Sequence, residues 1–274
     1  RYAPSLDTVG FMTRCVDDAV TCLEGLLAPA QRSKWNNDPT LTEMKENELS
    51  AFEPLPLEGL TIGVLQEWID ALSGVSGHVL DRVLNRLDDS GARMKLIRIP
   101  ELTGTECLDR YYDIACMEAS STLARYIKSF STRNQGEEYL VEDGDFSLGV
   151  RTFQEENFGS EVFRRIQLGR SLLMHPEGAH LKQSQEYRNS LRRSFDRAFN
   201  VECCDVIIGP TAFSTAPSTD LKLEEEKQDD LFTVPASLAG IPSVSLPLHP
   251  IRVGTEGVIG TQLMAARLDD RLLL

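Results

Sequence analysis

A strand pattern, a helical pattern and a second strand pattern follow one another between residues 60 and 99. The apolar runs at 60–65 and 94–99 are each short enough for one strand, and Pro100 ends the second. Between them, apolar residues recur every three or four positions, at Val79, Leu80, Val83, Leu84 and Leu87. This order predicts a β-α-β unit, whose two strands are parallel neighbours in one sheet. The sequence therefore predicts an α/β fold.

Periodic apolar positions predict further helices on both sides of this unit. An amphipathic helix is expected at 14–28, closed by Ala28 and Pro29. Longer helical patterns cover 104–130, 158–173 and 178–200. The last of these is rich in arginine, and we expect its arginines to form a solvated face: Arg188, Arg192, Arg193 and Arg197.

The last third of the chain returns to short apolar runs. We expect the runs at 205–211, 243–247 and 258–264 to be strands of the same sheet. Two polar stretches interrupt the pattern earlier in the chain. They predict a linker at about 29–56 and an acidic surface loop at about 131–150.

The balance of charge restricts the partners of the chain. Its 42 acidic and 28 basic residues give a formal charge of −14, which disfavours direct binding to tRNA or to an anionic membrane. No apolar run approaches the roughly 20 residues of a membrane-spanning helix. With 274 residues, 41% of them hydrophobic, the chain can form one large or two small domains.

Cysteine and histidine give no sign of a metal site. The six cysteines are scattered through apolar or helical surroundings, without a CxxC pair, which fits a reducing compartment. The four histidines stand apart in sequence, and we expect surface or capping positions for them: His78, His175, His180 and His249.

The sequence has no P-loop, no GxGxxG after a strand, no GxSxG elbow and no HExxH motif. Ser120 and Ser121 lie in an apolar helical run, where small packed residues explain them. Ligands in open α/β sheets bind beyond the carboxyl ends of strands, so the segments 205–215 and 229–242 are candidates. Asp230 could pair with an ammonium group there. Arg165 could bind a substrate carboxylate, or form an internal salt bridge.

Five segments of the chain together resemble the amidase-signature family, and within it the glutaminase subunit of tRNA-dependent amidotransferases. They occur in the family's order at 5–19, 57–64, 118–126, 158–169 and 230–235. The resemblance implies a mixed, largely parallel sheet covered by helices on both faces. It also implies that residues 1–274 are the carboxy-terminal part of a single domain, incomplete at the amino terminus.

The activity implied by the family is amide hydrolysis by a Lys-Ser-Ser triad, in which a serine is the nucleophile. Residues 1–274 contain no glycine- and serine-rich signature run, so we expect the triad to precede Arg1 and the chain to be inactive alone. The resemblance carries three glutamine-binding positions onto Tyr111, Arg165 and Asp230.

The resemblance also implies a setting for this activity. The protein would release ammonia from glutamine, so that Glu-tRNA(Gln) can be converted to Gln-tRNA(Gln). Subunits B and C would be its partners, with tRNA, ATP and magnesium held by the B subunit and no cofactor on this chain. A mitochondrion is expected, with a plastid or bacterial cytoplasm as alternatives. Two other functions remain open: a general small-amide or fatty-acid amidase, and a catalytically dead module that binds a partner.

Overall fold

The chain folds into two compact units. The computed structural model describes residues 2–32, 56–72, 74–131, 154–175, 178–213, 215, 230–253 and 257–274. Unit 1 comprises Arg1–Thr8 and Cys107–Asn189, and unit 2 comprises Val9–Glu106 and Ser190–Leu274. Most of the predicted polar linker and of the predicted acidic loop lies outside the described residues. That residues 1–274 are part of one domain stays a prediction.

Five helices lie where the periodic patterns place them, and two short ones, at Gln66–Ala71 and Val234–Ala239, were not predicted. Their bounds are α1 Val16–Arg32, α2 Gln66–Ala71, α3 Gly74–Asp89, α4 Glu106–Ser131, α5 Ser160–Met174, α6 Ala179–Asn200 and α7 Val234–Ala239. The prediction that Pro29 ends the first helix is wrong, because α1 continues to Arg32. The φ angle of proline is compatible with a helix, and the missing N–H removes one hydrogen bond without forcing the chain to stop.

Unit 2 contains a five-stranded mixed sheet in the order β2-β1-β3-β5-β4. The strands are β1 Thr61–Leu65, β2 Arg93–Ile97, β3 Val206–Pro210, β4 Ser243–Val253 and β5 Gly257–Met264. Strand β1 pairs in parallel with β2 and β3, which confirms the predicted β-α-β unit. Strand β5 is antiparallel to both β3 and β4.

Each face of the sheet is covered by a different helix. On one face, Ile62, Val64 and Ile208 form an apolar cluster with Ala92. The helix α3 packs against this cluster through three of the residues that predicted it: Val83, Leu84 and Leu87. On the other face, Trp68 of α2 is 2% exposed and lies directly over Gly209 of β3. The predicted cover of helices on both faces is therefore present.

Asp205 joins β3 to the central strand. Its Oδ2 accepts a hydrogen bond from the Thr61 backbone N at 2.8 Å, and its own N donates to the Thr61 carbonyl at 2.8 Å. These two bonds lie at the amino end of β3, whereas ligand sites of open sheets lie beyond the carboxyl end. Asp205 therefore contributes to strand pairing, and ligand binding by the segment 205–215 stays a prediction.

In unit 1, α4 and α5 approach each other closely at Gly169. A Cβ atom at this position would overlap the carbonyl group of Cys116 on α4. Only a glycine permits this distance between the two backbones. The contact places the residues before Gly169 on α5 next to the middle of α4.

The six cysteines are all free. Cys15, Cys22 and Cys203 are exposed, and the other three are buried: Cys107, Cys116 and Cys204. None of the helices in the described parts of the chain combines the length and the apolar character needed to cross a bilayer. Within the same residues, no group of three or more metal-ligating side chains comes together.

Replacing Gly209 with alanine should destabilise unit 2 by about 1–3 kcal/mol, because the new methyl group would force the Trp68 ring to move. The free energy of unfolding in urea measures the loss. Gly25→Ala is the control, since an added Cβ there meets no atom within 4 Å and alanine favours the helix α1. Equal stability of the Gly209→Ala variant and the wild type would contradict the packing described.

Candidate functional site

The Arg165 side chain lies in a cluster of charged and aromatic groups in unit 1. Its Nε donates to Glu161 Oε1 at 2.7 Å, one turn earlier on α5. Its guanidinium carbon lies 5.5 Å from the centroid of the Tyr112 ring, which is a cation–π distance. The side chain is 29% exposed. The internal salt bridge that the sequence left open for Arg165 is therefore present, with Glu161 as the partner.

Arg165 has more than one interaction partner in this cluster. Glu161 accepts from one of the Arg165 donors, Nε–H, and the Tyr2 side chain interacts with the guanidinium as well. Burial acts to lower the pKa of Arg165, but Glu161 and then Tyr2 more than offset this, so its pKa is raised. The guanidinium is thus a fixed cation whose terminal donors can bind an anion.

Glu161 binds two arginines at once. Arg164 donates to it through Nε and Nη2, both at 2.8 Å, and Arg165 donates through Nε. The hydrogen bonds from Arg164, reinforced by those from Arg165 and opposed by burial, lower the pKa of Glu161 to about 2. Sequence reasoning did not single out Glu161, although the spacings i,i+3 and i,i+4 on a helix bring such pairs together.

Tyr111 belongs to the same cluster through its neighbour. The Tyr111 and Tyr112 rings meet edge to face, with centroids 5.7 Å apart and an interplanar angle of 82°. Tyr112 in turn contacts Arg165. Both tyrosines lie on α4. Tyr111 and Arg165, two of the three residues to which the family resemblance assigned glutamine binding, thus each contact Tyr112.

The amino-terminal segment is tied to α4 and α6 within unit 1. Arg188 donates through Nη1 to Ser5 Oγ at 2.9 Å and through Nη2 to the Ser5 carbonyl at 2.8 Å. The Ser5 backbone N donates to Glu118 Oε2 at 2.8 Å. Asp7 accepts from the backbone N of Tyr2 at 2.8 Å and of Ala3 at 3.1 Å. The backbone from Tyr2 to Asp7 is thus held at several points.

The prediction of a solvated arginine face is wrong for Arg188. This residue is 6% exposed, and it shares one face of α6 with Ser184 and Leu191, which are 0% exposed. Arginines 192, 193 and 197 are exposed as expected, although Arg192 Nε donates to the Ala239 carbonyl at 2.8 Å. An arginine is buried when its position in the helical period places it on the apolar face, even in a helix that is rich in arginine.

The hydroxyl of Tyr2 lies beside the guanidinium of Arg165. It is buried, and it has no hydrogen-bond partner among the described residues. Burial raises the pKa of Tyr2, and the nearby positive charge of Arg165 offsets part of this rise. The Arg165 side chain thus acts on the Tyr2 hydroxyl both by direct interaction and through its positive charge. No sequence pattern marks Tyr2 as part of a site.

Asp230, the third predicted glutamine-binding residue, lies in unit 2 just before α7. It is half-buried, and its carbonyl accepts hydrogen bonds from the backbone N of Thr233 at 3.2 Å and of Val234 at 3.0 Å. These bonds form a turn that fixes the backbone of Asp230. Phe232, inside this turn, is 0% exposed and meets the Trp68 ring edge to face at 5.7 Å.

Gln262 holds this turn against the sheet. It is 2% exposed, and its Nε2 donates to the carbonyls of Pro210 at 2.9 Å and Phe232 at 2.5 Å. Its Oε1 accepts from Ser243 Oγ at 3.4 Å. A glutamine inside the apolar run 258–264 is a signal that sequence reasoning missed, because a buried amide must find partners.

Comparison with known proteins identifies the family. The family model described as Amidase matches residues 1–274. This chain belongs to the amidase family. The resemblance inferred from the five sequence segments is therefore confirmed, and the family match extends over all 274 residues.

Two relatives of this amidase-family chain are A subunits of glutamyl-tRNA(Gln) amidotransferases. The A subunit of glutamyl-tRNA(Gln) amidotransferase from Akkermansia muciniphila is 33% identical over 281 residues, which cover 100% of this chain and 56% of the relative. The mitochondrial form from Podospora anserina is 32% identical over 327 residues, covering 100% of this chain and 61% of the relative. The chain thus spans little more than half the length of these relatives.

The amidase fold is confirmed by a solved structure. The A subunit of glutamyl-tRNA(Gln) amidotransferase from Thermotoga maritima superposes with a TM-score of 0.62 at 22% identity. The match covers 99% of this chain and 52% of that structure. At 22% identity, this likeness supports the fold and does not assign the residues of the site.

Gln262→Met should destabilise unit 2 by about 1–3 kcal/mol, because methionine fills a similar volume but offers no donor to the two carbonyls. Urea unfolding measures the change. Gln66→Met is the matched control, since the Gln66 amide reaches only Asp70 on the exposed side of α2. A Gln262→Met variant as stable as the control would contradict the anchoring role of Gln262.

Glu161→Gln should lower stability at neutral pH, and the difference from the wild type should shrink in acid. The folded pKa of Glu161 is depressed to about 2 from an ordinary value of 4.5. Its ion pairs therefore stabilise the fold fully above the ordinary value and are lost as the pH falls towards 2. Urea midpoints measured from pH 7 to pH 3 test this.

The exposed Glu24 on α1 gives a control variant, Glu24→Gln, for the loss of one negative charge. A Glu161→Gln difference that stayed constant through the acid range would show that the carboxylate does not stabilise the fold through its charge.

Proposed function

We propose that this chain is part of the glutamine-hydrolysing A subunit of a glutamyl-tRNA(Gln) amidotransferase. Glutamine and water would give glutamate and ammonia, and the ammonia would convert Glu-tRNA(Gln) to Gln-tRNA(Gln). Two relatives with this description, at 33% and 32% identity, support the proposal. The structural observation that supports it most directly is the fixed orientation of the Arg165 guanidinium between Glu161 and the Tyr112 ring.

Arg165 is suited to the α-carboxylate of glutamine. Glu161 fixes its Nε, which leaves the opposite end of the guanidinium to face a carboxylate. A guanidinium with two parallel donors matches a carboxylate better than any other side chain does. The ring of Tyr112 at 5.5 Å restricts the plane in which the guanidinium can lie. The cation is therefore oriented before the substrate arrives.

The two other proposed contacts are chemically consistent with glutamine. Tyr111 would contact the substrate beside Arg165, within the cluster of α4 and α5. Asp230 would pair with the α-ammonium group, which a carboxylate on a fixed turn can accept. An α-amino acid carries both charges, so recognition of the carboxylate and of the ammonium group would distinguish glutamine from simple amides.

The nucleophile is proposed to belong to a Lys-Ser-Ser triad outside residues 1–274, so the chain alone would be inactive. Subunits B and C are the proposed partners, and the B subunit would hold the tRNA, ATP and magnesium. The formal charge of −14 agrees with this division, because an acidic protein repels a polyanion. A mitochondrial location is the proposed setting.

Arg165→Ala in the complete protein, assayed with subunits B and C, should lower kcat/KM for glutamine hydrolysis by about 100-fold, mostly through KM. The reason is the loss of the cation that binds the carboxylate. Arg170→Ala is the matched control, because Arg170 is an exposed arginine on the same helix. Release of ammonia and the fraction of folded protein are measured together.

Three other results would reject the proposal. Equal activity of Arg165→Ala and Arg170→Ala would exclude Arg165 from substrate binding. Faster hydrolysis of simple or fatty-acid amides than of glutamine would favour a general amidase. Association with subunits B and C in the absence of any amidase activity would favour a module that only binds its partners.

A further inference from the structure

Gln262 joins the two strand-end segments that the sequence marks as ligand candidates. Its Nε2 donates to the Pro210 carbonyl at 2.9 Å, at the carboxyl end of β3, and to the Phe232 carbonyl at 2.5 Å. Pro210 belongs to the segment 205–215, and Phe232 belongs to the segment 229–242. One amide group thus connects the end of a parallel strand with the turn that contains Asp230.

An aromatic contact joins the same two segments. The Phe213 and Phe232 rings lie 4.4 Å apart between centroids, with an interplanar angle of 53°. Phe232 also meets the Trp68 ring edge to face. Phe232 is fully buried, whereas Phe213 and Asp230 are both half-buried. The turn is therefore fixed on its buried side, and Asp230 lies at its partly exposed start.

The buried amide of Gln262 serves the position of this turn. A primary amide has two N–H groups, and here two carbonyls accept from it. Ser243 Oγ donates to its Oε1 at 3.4 Å, which orients the amide with its nitrogen towards the turn. An apolar side chain of similar volume would fill the same space in the core without these bonds. The polar group is thus explained by the two carbonyls that it joins.

We infer that Gln262 is a positioning residue, which holds the turn 230–234 so that the Asp230 carboxylate meets the α-ammonium group of the substrate. The inference rests on the proposed function, in which that substrate is glutamine. The Asp230 carbonyl accepts from the backbone N of Thr233 and Val234, on the far side of Phe232. A displacement of Phe232 is therefore passed on to Asp230, although Gln262 itself does not touch the substrate.

This role concerns only one of the two charges of the substrate. The α-carboxylate is the proposed partner of Arg165, and the α-ammonium group is the proposed partner of Asp230. A shift of the turn weakens the second contact and leaves the first unchanged, because the distance between donor and carboxylate determines the strength of the bond. Loss of Gln262 therefore lowers the preference for amides that carry an ammonium group, which a general loss of stability does not.

The experiment measures binding by calorimetry for the complete protein and its Gln262→Met variant. L-Glutamine is compared with 4-carbamoylbutanoate, which keeps the carboxylate and the side-chain amide but lacks the ammonium group. We expect Gln262→Met to raise the Kd for glutamine about tenfold or more, since a charge-assisted hydrogen bond is lost. The Kd for 4-carbamoylbutanoate should not change.

Val83→Ala is the matched control for a loss of stability. Val83 packs against the sheet from α3, among side chains that have no contact with the turn. Both Gln262→Met and Val83→Ala should lower the Tm, but only Gln262→Met should change the preference for glutamine. Equal changes of the two Kd values in Gln262→Met would assign Gln262 a structural role alone and overturn the inference.

Asp230→Asn tests whether Gln262 acts through Asp230. In a double-mutant cycle, Gln262→Met should have a much smaller effect on glutamine binding when Asp230 is already asparagine. Additive effects of the two substitutions would contradict the inference. If Gln262→Met does not fold, Gln262→Glu takes its place, because a protonated carboxyl keeps the shape but offers one donor for two carbonyls. Wild-type affinity for glutamine in that variant would likewise overturn the inference.

The outcomes also separate this inference from the proposed function. If Asp230→Asn loses affinity for glutamine alone and Gln262→Met loses none, the inference fails and the proposed function stands. Equal Kd values of the wild type for the two amides would exclude ammonium recognition and overturn the inference. If the variants behave as expected but no ammonia is released with subunits B and C, the proposed function fails and the role of Gln262 stands. No binding of either amide by the wild type would overturn both.

Discussion

The parallel pairing of β1 with β2 and β3 is the constraint from which unit 2 is built. Strand β1 lies between two neighbours that are distant in sequence, and four of its five residues are buried. Asp205 secures the longer of the two connections, because it both accepts from and donates to Thr61. Once β3 is fixed, β5 and β4 extend the sheet by antiparallel pairing, and Gln262 of β5 can reach the turn that contains Asp230.

The strands and the five longer helices were predictable from sequence because each depends on a local period, whereas the two six-residue helices are too short to show one. Val79, Val83 and Leu87 predicted α3, and the same side chains or their neighbours cover the sheet. The exceptions involve single residues whose state depends on tertiary contacts. Pro29 did not end a helix, and Arg188 was buried rather than solvated. Asp205 pairs with Thr61, a contact between strands that the sequence pattern does not show. A period identifies a face, but it does not say what an ionised group on that face will bind.

The candidate site was only partly accessible to sequence reasoning. Arg165 was a candidate from its own chemistry and from the family resemblance, Tyr111 from the resemblance alone, and both contact Tyr112. Glu161 could have been found from helical spacing alone. Tyr2 could not have been found in this way, because it is more than 160 residues from Arg165 in sequence and only the tertiary structure brings the two side chains together. Within this cluster, Glu161 accepts hydrogen bonds from Arg164 and Arg165, and the Tyr2 hydroxyl lies beside the Arg165 guanidinium.

The distribution of cysteines gives the two units separate chemical reporters. Burial raises the pKa of the Cys116 thiol in unit 1 and of the Cys204 thiol in unit 2, which keeps both protonated and unreactive in the native state. Cys203, adjacent to Cys204 in sequence, is exposed. The rate at which Cys204 is alkylated, with the exposed Cys203 as the reference, would therefore report the rate at which unit 2 opens. The rate for Cys116 would report the opening of unit 1. The native thiols alone can thus show whether the units open as one cooperative body or in succession.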